Sequence, residues 1–280
     1  MKKANGIPLE KGLFAGVREL LEKALSAKPS KQHFCSKDTA DKHANGKLKR
    51  PELDFLIEDM WKQVVTNWVE GGCRWSGSKN WCWRRSDTLN HEESRGDHDE
   101  VSLNRRLVRA LTSPDYWSNE TPTGSGMGKE GREPGGLDLA HFTGSDHVTL
   151  VELKTKDSNP MSAAFQVVGY GLFLVLARLT HERLVNKPGP IKIAEQWARA
   201  KSADLRVLAR TTFYKSYLTL GWFEAGLNEA IANFGKKRGL EMTFRFCEFD
   251  DEFQRNPTET KLLAALNRPI KFVEPSSIIA

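Results

Sequence analysis

The sequence predicts an α/β domain with a central mixed β-sheet flanked by helices. Two apolar segments with strand-like alternation, residues 137–142 and 147–155, are separated by a short Thr-Gly-Ser-Asp turn. A long apolar helical segment follows from Pro160, and further strand and helix segments alternate after it. This order of strands, helix, strand, helix and strand indicates helices that pack on both faces of one sheet.

The individual elements follow from periodicity and capping residues. A helix is predicted from Asp97 to Leu111, and residues 113–135, rich in Gly, Pro, Ser and Thr, are expected to form a loop. The Asn-Pro pair at 159–160 is typical of a helix start, and the apolar residues after it predict a buried helix to about Leu179. The remaining predictions are a strand over residues 204–209, a helix over 222–238, a strand over 241–249 and a helix over 258–266.

An N-terminal helical extension precedes this domain. Residues 9–25 have the spacing of a short amphipathic helix, and residues 26–50 have few large apolar side chains, which is typical of a flexible linker. Pro51 then begins a clear helix that Gly71 and Gly72 end. The chain therefore divides into a basic helix and linker (1–50), a helical and Trp/Arg-rich lead-in (51–96) and the α/β domain (97–280).

Composition excludes several classes of protein. Of the 280 residues, 39% are hydrophobic and 28% charged, which excludes a wholly disordered or fibrous chain. The four cysteines form no CxxC pair, so we expect reduced thiols rather than ligands of zinc or an iron–sulfur cluster. The N-terminus has no apolar run, and residues 166–177, the last part of the uncharged stretch 158–177, are about half of what spans a bilayer. We therefore expect a cytoplasmic protein without membrane contact.

The net charge of +6 is carried by the N-terminal part of the chain. Residues 1–50 hold 12 Lys and Arg against 5 Asp and Glu, whereas the rest is close to neutral. A local basic excess favours an acidic partner such as nucleic acid, although a solvated tail has the same composition.

A second basic segment interleaves cations with tryptophans. Residues 71–85 contain four basic side chains and no acidic one, with Trp75, Trp81 and Trp83 among them. Such a segment can stack on bases and contact phosphates, or its tryptophans can anchor in the core with the arginines at the rim. The first interpretation assigns nucleic-acid binding to Arg74, Lys79, Arg84 and Arg85.

The two central strands bring two carboxylates face to face. If Phe142 pairs with Val148, then Asp138 stands directly opposite Glu152, with Cβ atoms about 4.5–5.5 Å apart. Two opposed carboxylates repel unless a cation lies between them, and a hard divalent cation with oxygen ligands fits. Lys154 lies two residues further on the same face, where its ammonium can hold a water molecule or a phosphate oxygen.

Two flanking helices carry polar side chains that are expected near Asp138 and Glu152. Glu100 is centred on the apolar stripe of its helix, where a carboxylate needs a polar partner, although a capping box with Asp97 would also explain it. Gln166 and Tyr170 are about one turn apart in an otherwise apolar, buried helix. The edge of the sheet beside Glu152 is the nearest place for this polar pair.

The spacing of these polar residues resembles that of the PD-(D/E)XK nuclease superfamily and, in its Q-x-x-x-Y element, the RecB-type branch. The residues that carry the resemblance are Asp138, Glu152, Leu153, Lys154, Gln166 and Tyr170. It covers about residues 97–215, and Leu137 stands where the family name has proline. The resemblance implies a restriction endonuclease-like core and the hydrolysis of phosphodiester bonds.

The resemblance also implies roles for the site residues. Asp138, Glu152 and the backbone carbonyl of Leu153 would bind Mg²⁺ or Mn²⁺. Lys154 would orient the attacking water and stabilise the negative charge that develops on the phosphate. Glu100 would reach a second metal ion or a metal-bound water.

The implied function is that of a metal-dependent endonuclease that cleaves DNA in restriction, defence or repair, with RNA as an alternative substrate. Gln166 and Tyr170 would order the site or contact the DNA backbone. The alternatives are a RecB-type exonuclease, a non-catalytic nucleic-acid-binding protein on the same fold, and a structural or adaptor protein for which the resemblance is accidental. A homodimer is compatible with each of them.

Replacing Arg84 and Arg85 by Ala is expected to weaken DNA binding uniformly across sequences, because phosphate contacts carry no direct sequence information. Each lost contact should flatten the log–log dependence of the binding constant on salt by about 0.9 on duplex DNA. Titrations of labelled duplexes of unrelated sequence at several salt concentrations measure both quantities. Equal affinity and an unchanged slope in the double variant would show that the segment is a Trp-anchored surface loop.

Overall fold

A computed structural model of the chain describes residues 13–26, 35–70, 100–122, 136–144, 146–155, 158–185 and 195–273. Within these residues five strands form one mixed sheet with helices on both faces. The strands are β1 (Trp117–Pro122), β2 (Gly136–Thr143), β3 (His147–Lys154), β4 (Ser202–Arg210) and β5 (Glu241–Phe249). The α-helices are α1 (Val17–Ala24), α2 (Lys37–Ala44), α3 (Leu53–Glu70), α4 (Glu100–Arg109), α5 (Pro160–Val185), α6 (Glu195–Arg199), α7 (Thr211–Tyr214), α8 (Gly221–Lys236), α9 (Asp251–Arg255) and α10 (Glu259–Leu266).

The sheet combines an antiparallel half with a parallel half. The strand order is β1-β2-β3-β4-β5, in which β1, β2 and β3 pair antiparallel and β3, β4 and β5 pair in parallel. Parallel neighbours need a long crossover, which α5 supplies between β3 and β4 and α8 supplies between β4 and β5. The predicted α/β class, a mixed sheet flanked by helices, is confirmed.

Each face of the sheet has its own apolar core, because strand side chains alternate between the faces. The larger core lies under α5 and α8 and includes Leu150, Leu205 and Phe244. The smaller core lies under α4 and α10 and includes Val151 and Leu208. The side chains of the candidate site are positioned where these two layers meet the end of β3.

The register of the central hairpin agrees with the prediction. Phe142 pairs with Val148, and Ala140 pairs with Leu150. Glu152 lies on the same face as Leu150, the face covered by α5.

The predicted direct opposition of Asp138 and Glu152 is not formed, because the pairing of β2 with β3 ends at Leu139 and Val151. Regular alternation does not extend through Asp138, since Leu137 is buried in the larger core and Leu139 in the smaller one.

The N-terminal helices share the larger core. Phe14 is 6% exposed, and its ring packs edge-on against the Phe173 ring of α5 with centroids 4.5 Å apart. Helix α3 packs on α8 and α1 packs on α3, with Leu21 and Met60 fully buried. The described residues of the N-terminal extension are thus continuous with the α/β core.

The prediction of a flexible linker is wrong for the described residues 35–50. They contain α2, whose cap residue Ser36 accepts a hydrogen bond from the Thr39 backbone at 3.2 Å. The side chains that α2 buries include Ala40 and His43. Helix α2 is packed through small and polar side chains, so a count of large apolar residues does not predict it.

The prediction of a loop over residues 113–135 is wrong where β1 forms. Its sequence, Trp-Ser-Asn-Glu-Thr-Pro, is mostly polar, and yet Ser118, Asn119 and Thr121 are fully buried. Ser118 Oγ and Thr121 Oγ1 share a hydrogen bond of 2.8 Å, which offsets the cost of burying them. Pro122 ends the strand at the edge of the sheet, where a missing N–H is tolerated.

Helix α5 is the central helix of the fold. Over Pro160–Thr180 it is long and apolar enough to cross a membrane by length and composition, and 94% of that window is buried inside the protein. A helix that is apolar on all sides is expected in such a position, because the sheet covers one side and other helices cover the rest.

Replacing Phe14 by Ala should lower the free energy of unfolding by about 3 kcal/mol, because it leaves a cavity against α5 in the shared core. Phe55→Ala is the matched control: Phe55 is 69% exposed, so its loss should change stability by at most about 0.5 kcal/mol. Urea unfolding followed by tryptophan fluorescence compares the two. Equal stability of the two variants would mean that the N-terminal helices do not unfold together with the sheet.

Candidate active site

The candidate site lies where the sheet is interrupted at Asp138. Strand β2 pairs with β1 through Leu137 and Leu139 but not through Asp138, and the pairs between β2 and β3 end at Leu139 and Val151. Glu120, which would stand opposite Asp138 in β1, has a φ of +44°, in the left-handed region that non-glycine residues seldom adopt. The backbone of Asp138 is therefore left out of both ladders.

Polar groups from elsewhere take the place of the interrupted ladders. Asn104 of α4 donates from Nδ2 to the backbone oxygen of Asp138 at 2.7 Å. The backbone N–H of Leu153 donates to Oδ2 of Asp138 at 2.8 Å. Asn119 of β1 donates from Nδ2 to Oδ1 of Asn104 at 2.9 Å. Both the backbone and the side chain of Asp138 are thus held by hydrogen bonds.

Lys154 joins the carboxylates of two different elements. Its Nζ lies 2.7 Å from Oε1 of Glu152 and 2.9 Å from Oε2 of Glu100. Glu152 is fully buried and Lys154 is 7% exposed, whereas the side chain of Glu100 keeps 28% of its surface exposed. The cation that the buried carboxylates require is thus, in this structure, the ammonium of Lys154.

Burial and neighbouring charges shift the pKa values of Asp138, Glu152 and Lys154. Loss of hydration raises the pKa of Asp138 to about 7, and Glu100 and Glu120 add to the rise. Burial, and then the negative charge of Asp138, raises the pKa of Glu152 well above its ordinary value. Burial alone would lower the pKa of Lys154, but the surrounding carboxylates outweigh it and raise this pKa. Lys154 therefore stays charged, while the carboxylates of Asp138 and Glu152 bind protons readily.

Gln166 and Tyr170 meet the site from the α5 side. Gln166 Nε2 lies 3.4 Å from the Tyr170 hydroxyl, which itself donates to the backbone oxygen of Gly136 at 2.9 Å. Tyr170 is fully buried, and Gly136 begins β2 two residues before Asp138. This arrangement favours the ordering role for Tyr170 over a contact with the DNA backbone.

Glu100 occupies the first position of α4 and turns toward Lys154. Asp97, the partner in the capping alternative, lies outside the described residues, as do Arg74, Lys79, Arg84 and Arg85. Leu103, Asn104 and Leu107 are buried, as the apolar stripe predicts. The contact with Lys154 gives the Glu100 carboxylate the polar partner that its position on the stripe requires.

Four further residues of the site were missed from the sequence. They are Asn104, Arg105, Asn119 and Glu120, and Arg105 Nε lies 3.0 Å from Oε1 of Glu120. Asn104 follows Glu100 by four residues, so the helical face of Glu100 is the one signal that identifies it. Nothing in the local pattern identifies Arg105, and Asn119 and Glu120 lie in β1, which has the composition of a loop.

The donor set is suited to a hard divalent cation, although no metal cluster is preformed. Within the described residues no group of three or more His, Cys, Asp and Glu side chains is arranged to hold a metal ion. Neither oxygen of Glu152 accepts a well-aligned hydrogen bond from a described residue, although both are buried. The Leu153 carbonyl faces the same side as its N–H, toward Asp138, because both groups of a strand residue point to one neighbour. Two carboxylates and this carbonyl fit Mg²⁺, which takes few protein ligands.

Asp138→Asn should raise the free energy of unfolding at pH 8 without metal, by on the order of 1–3 kcal/mol. The folded pKa of about 7 exceeds the ordinary aspartate pKa of 3.8, so in the wild type this carboxyl costs stability increasingly from pH 4 to pH 7. The gain in the variant should vanish at pH 4. Urea unfolding at both pH values measures it, and a marked loss of stability at pH 8 would assign Asp138 a structural role instead.

Asp204→Asn is the matched control on β4. Burial alone would raise the pKa of Asp204, but His147, Thr243 and Arg206 together lower it to about 2. Its carboxylate therefore contributes stability above pH 4 that is lost as the pH falls toward 2. This control should lower stability at pH 8, the opposite of the result expected for Asp138→Asn.

Comparison with protein-family models, with curated proteins and with solved structures gives no match for this chain. The functional assignment therefore rests on the residues of the site.

Proposed function

We propose that the protein is a metal-dependent nuclease that hydrolyses phosphodiester bonds in DNA, acting as an endonuclease on a restriction endonuclease-like core. The observation that carries the proposal is the fully buried Glu152 carboxylate, which accepts no well-aligned hydrogen bond from a described residue and lies beside Asp138 and Lys154. The resemblance in sequence supports the same residues, and the mixed sheet flanked by helices is compatible with such a core.

A second buried glutamate shows what a structural carboxylate looks like in this fold. Glu259 is 8% exposed, and its oxygens accept hydrogen bonds from the backbone N–H groups of Thr112 and Ser113 and from the Trp117 indole. Burial would raise the pKa of Glu259, but these bonds outweigh it and lower this pKa. Glu152 is more deeply buried and lacks such donors, which is unfavourable for stability and is typical of a ligand site.

Carboxyl groups are concentrated around Asp138, which favours binding of a cation there. The described ones are those of Glu100, Glu120, Asp138 and Glu152, with the cationic side chains of Lys154 and Arg105 beside them. Asp138, Glu152 and the Leu153 carbonyl would hold Mg²⁺ or Mn²⁺, which supplies polarisation of the scissile phosphate and a lower pKa for a bound water.

Lys154 is positioned to act on the phosphate. Its ammonium lies between Glu152 and Glu100, so it can exchange one carboxylate contact for a water molecule or a phosphate oxygen without leaving the site. A fixed ammonium in a poorly hydrated site stabilises charge that develops on the phosphate more strongly than it would in water. Glu100, at the more exposed side, can accept a hydrogen bond from the attacking water.

The site is closed on one side and open on the other. Glu152 and Tyr170 are fully buried, whereas Asp138 is half-buried and Glu100 is 28% exposed at its side chain. Substrate would therefore approach from the Glu100 side, where α4 begins. The basic and tryptophan-rich residues 71–85 precede this helix in the sequence and supply cations for a DNA backbone.

Incubation with supercoiled plasmid and with linear duplex, in the presence of Mg²⁺, Mn²⁺ or EDTA, tests the proposal. We expect plasmid to be nicked or linearised with either metal and to stay intact in EDTA. Degradation of linear DNA alone would identify an exonuclease, and binding without cleavage would identify a non-catalytic binder. Glu152→Gln should reduce cleavage by about 100-fold or more, because it removes a charged metal ligand while keeping the shape of the side chain.

Glu259→Gln provides the matched control. This variant should lose stability, because an amide cannot replace all of the hydrogen bonds that the carboxylate accepts, but it should cleave DNA at the wild-type rate once folded. Glu152→Gln should show the reverse pattern, with folding retained and cleavage lost. Unchanged cleavage in folded Glu152→Gln would contradict the assignment of the metal site.

A further inference from the structure

We propose that Asn104 is a positioning residue that sets the orientation of Asp138, and that Asn119 in turn fixes Asn104. The hydrogen-bond geometry stands by itself, and the consequence for cleavage rests on the proposed nuclease function. Neither amide would touch the substrate or a metal ion. Both would act through the backbone and carboxylate of Asp138.

The need for such a residue arises from the interrupted ladders. A strand residue is normally fixed by bonds to its neighbouring strands, but β1 skips Asp138 between its pairs with Leu137 and Leu139, and β3 stops pairing with β2 at Leu139. The positive φ of Glu120 removes the partner on the β1 side. Asn104 donates to the Asp138 backbone oxygen at 2.7 Å and so replaces one missing bond of the ladder.

Two bonds together determine how Asp138 is held. The Asn104 amide fixes the backbone oxygen, and the Leu153 N–H fixes carboxylate oxygen Oδ2. If the backbone at Asp138 rotates, the carboxylate moves away from Leu153 as well. The position of Oδ2 is therefore coupled to a side chain on α4 that it does not contact.

The amide pair is built as a buried relay between three elements. Asn104 is 2% exposed and Asn119 is fully buried, and the bond between them is 2.9 Å long. The relay runs from β1 through α4 to β2, and each amide is oriented by its neighbour. Glu100, one turn before Asn104 on α4, contacts Lys154, so one helix aligns both the carboxylate and the lysine of the site.

Two variants separate the lost donor from changes in charge. Asn104→Asp keeps the shape and can still accept from Asn119, but it cannot donate to Asp138. Asn104→Leu removes the donor without adding charge. Asn67→Asp is the control, because the Asn67 amide donates from α3 to the backbone oxygens of Leu13 and Ala15, away from the site.

Amide hydrogen exchange at Leu153, measured by NMR on the full chain, reports whether Asp138 still accepts its bond. Both Asn104 variants should exchange about tenfold faster at Leu153, because the carboxylate acceptor is no longer held. Titration calorimetry with Mn²⁺ alone should show about 10–100-fold weaker binding, and kcat for plasmid cleavage should fall by a similar factor. The Asn67 control should lose stability and keep all three site properties.

The outcomes separate this proposal from the proposed function. Wild-type Leu153 exchange in both folded Asn104 variants would overturn the positioning role, whatever their cleavage activity. Faster exchange with unchanged Mn²⁺ affinity and unchanged kcat would confine Asn104 to local structure and also overturn it. If the wild-type protein binds no Mn²⁺ and cleaves no DNA, the nuclease proposal fails and the effect of Asn104 on cleavage fails with it, while Leu153 exchange still decides the hydrogen-bond geometry.

Discussion

The ionic contact between Lys154 and Glu152 is the interaction on which the rest of the site depends. A carboxylate without exposed surface is costly unless a cation neutralises it, and removing one member of a buried pair leaves the other uncompensated. Lys154 can provide this charge because it is on the same face of the same strand, two residues further on. Glu100 then holds the second side of the ammonium and thereby fixes the start of α4 against the end of β3.

The surrounding fold is arranged so that this pair lies at an interruption rather than inside a continuous sheet. Had the ladders continued through Asp138, its backbone oxygen would be engaged with a strand and Leu153 would face β2 instead of a carboxylate. The left-handed conformation of Glu120 and the buried amides of Asn104 and Asn119 replace that regular pairing. Strained and irregular backbone of this kind is found where a site requires it and where neighbouring packing holds it in place.

Much of this arrangement could be predicted from the sequence, because it depends on regular periodicity. A short turn assumed between the two alternating segments predicted the pairing of Phe142 with Val148, and helical spacing placed Gln166 and Tyr170 on one side of a buried helix. The errors occurred where small or polar side chains make the contact. Strand β1 and helix α2 are held by hydrogen bonds and by alanines, and these have no hydrophobic pattern to detect. The amide relay depends on three elements that are distant in sequence, and spacing within a single element cannot reveal it.

The position of the Lys154 ammonium between Glu152 and Glu100 allows folding to precede metal binding. A chain that supplies its own counter-ion to a buried acid can fold before it encounters any metal, because Lys154 already contacts the Glu152 carboxylate. If the site binds a divalent ion, that ion must compete with a tethered lysine and displace the protons that the raised pKa values retain. Occupancy would then respond to both the metal concentration and the pH.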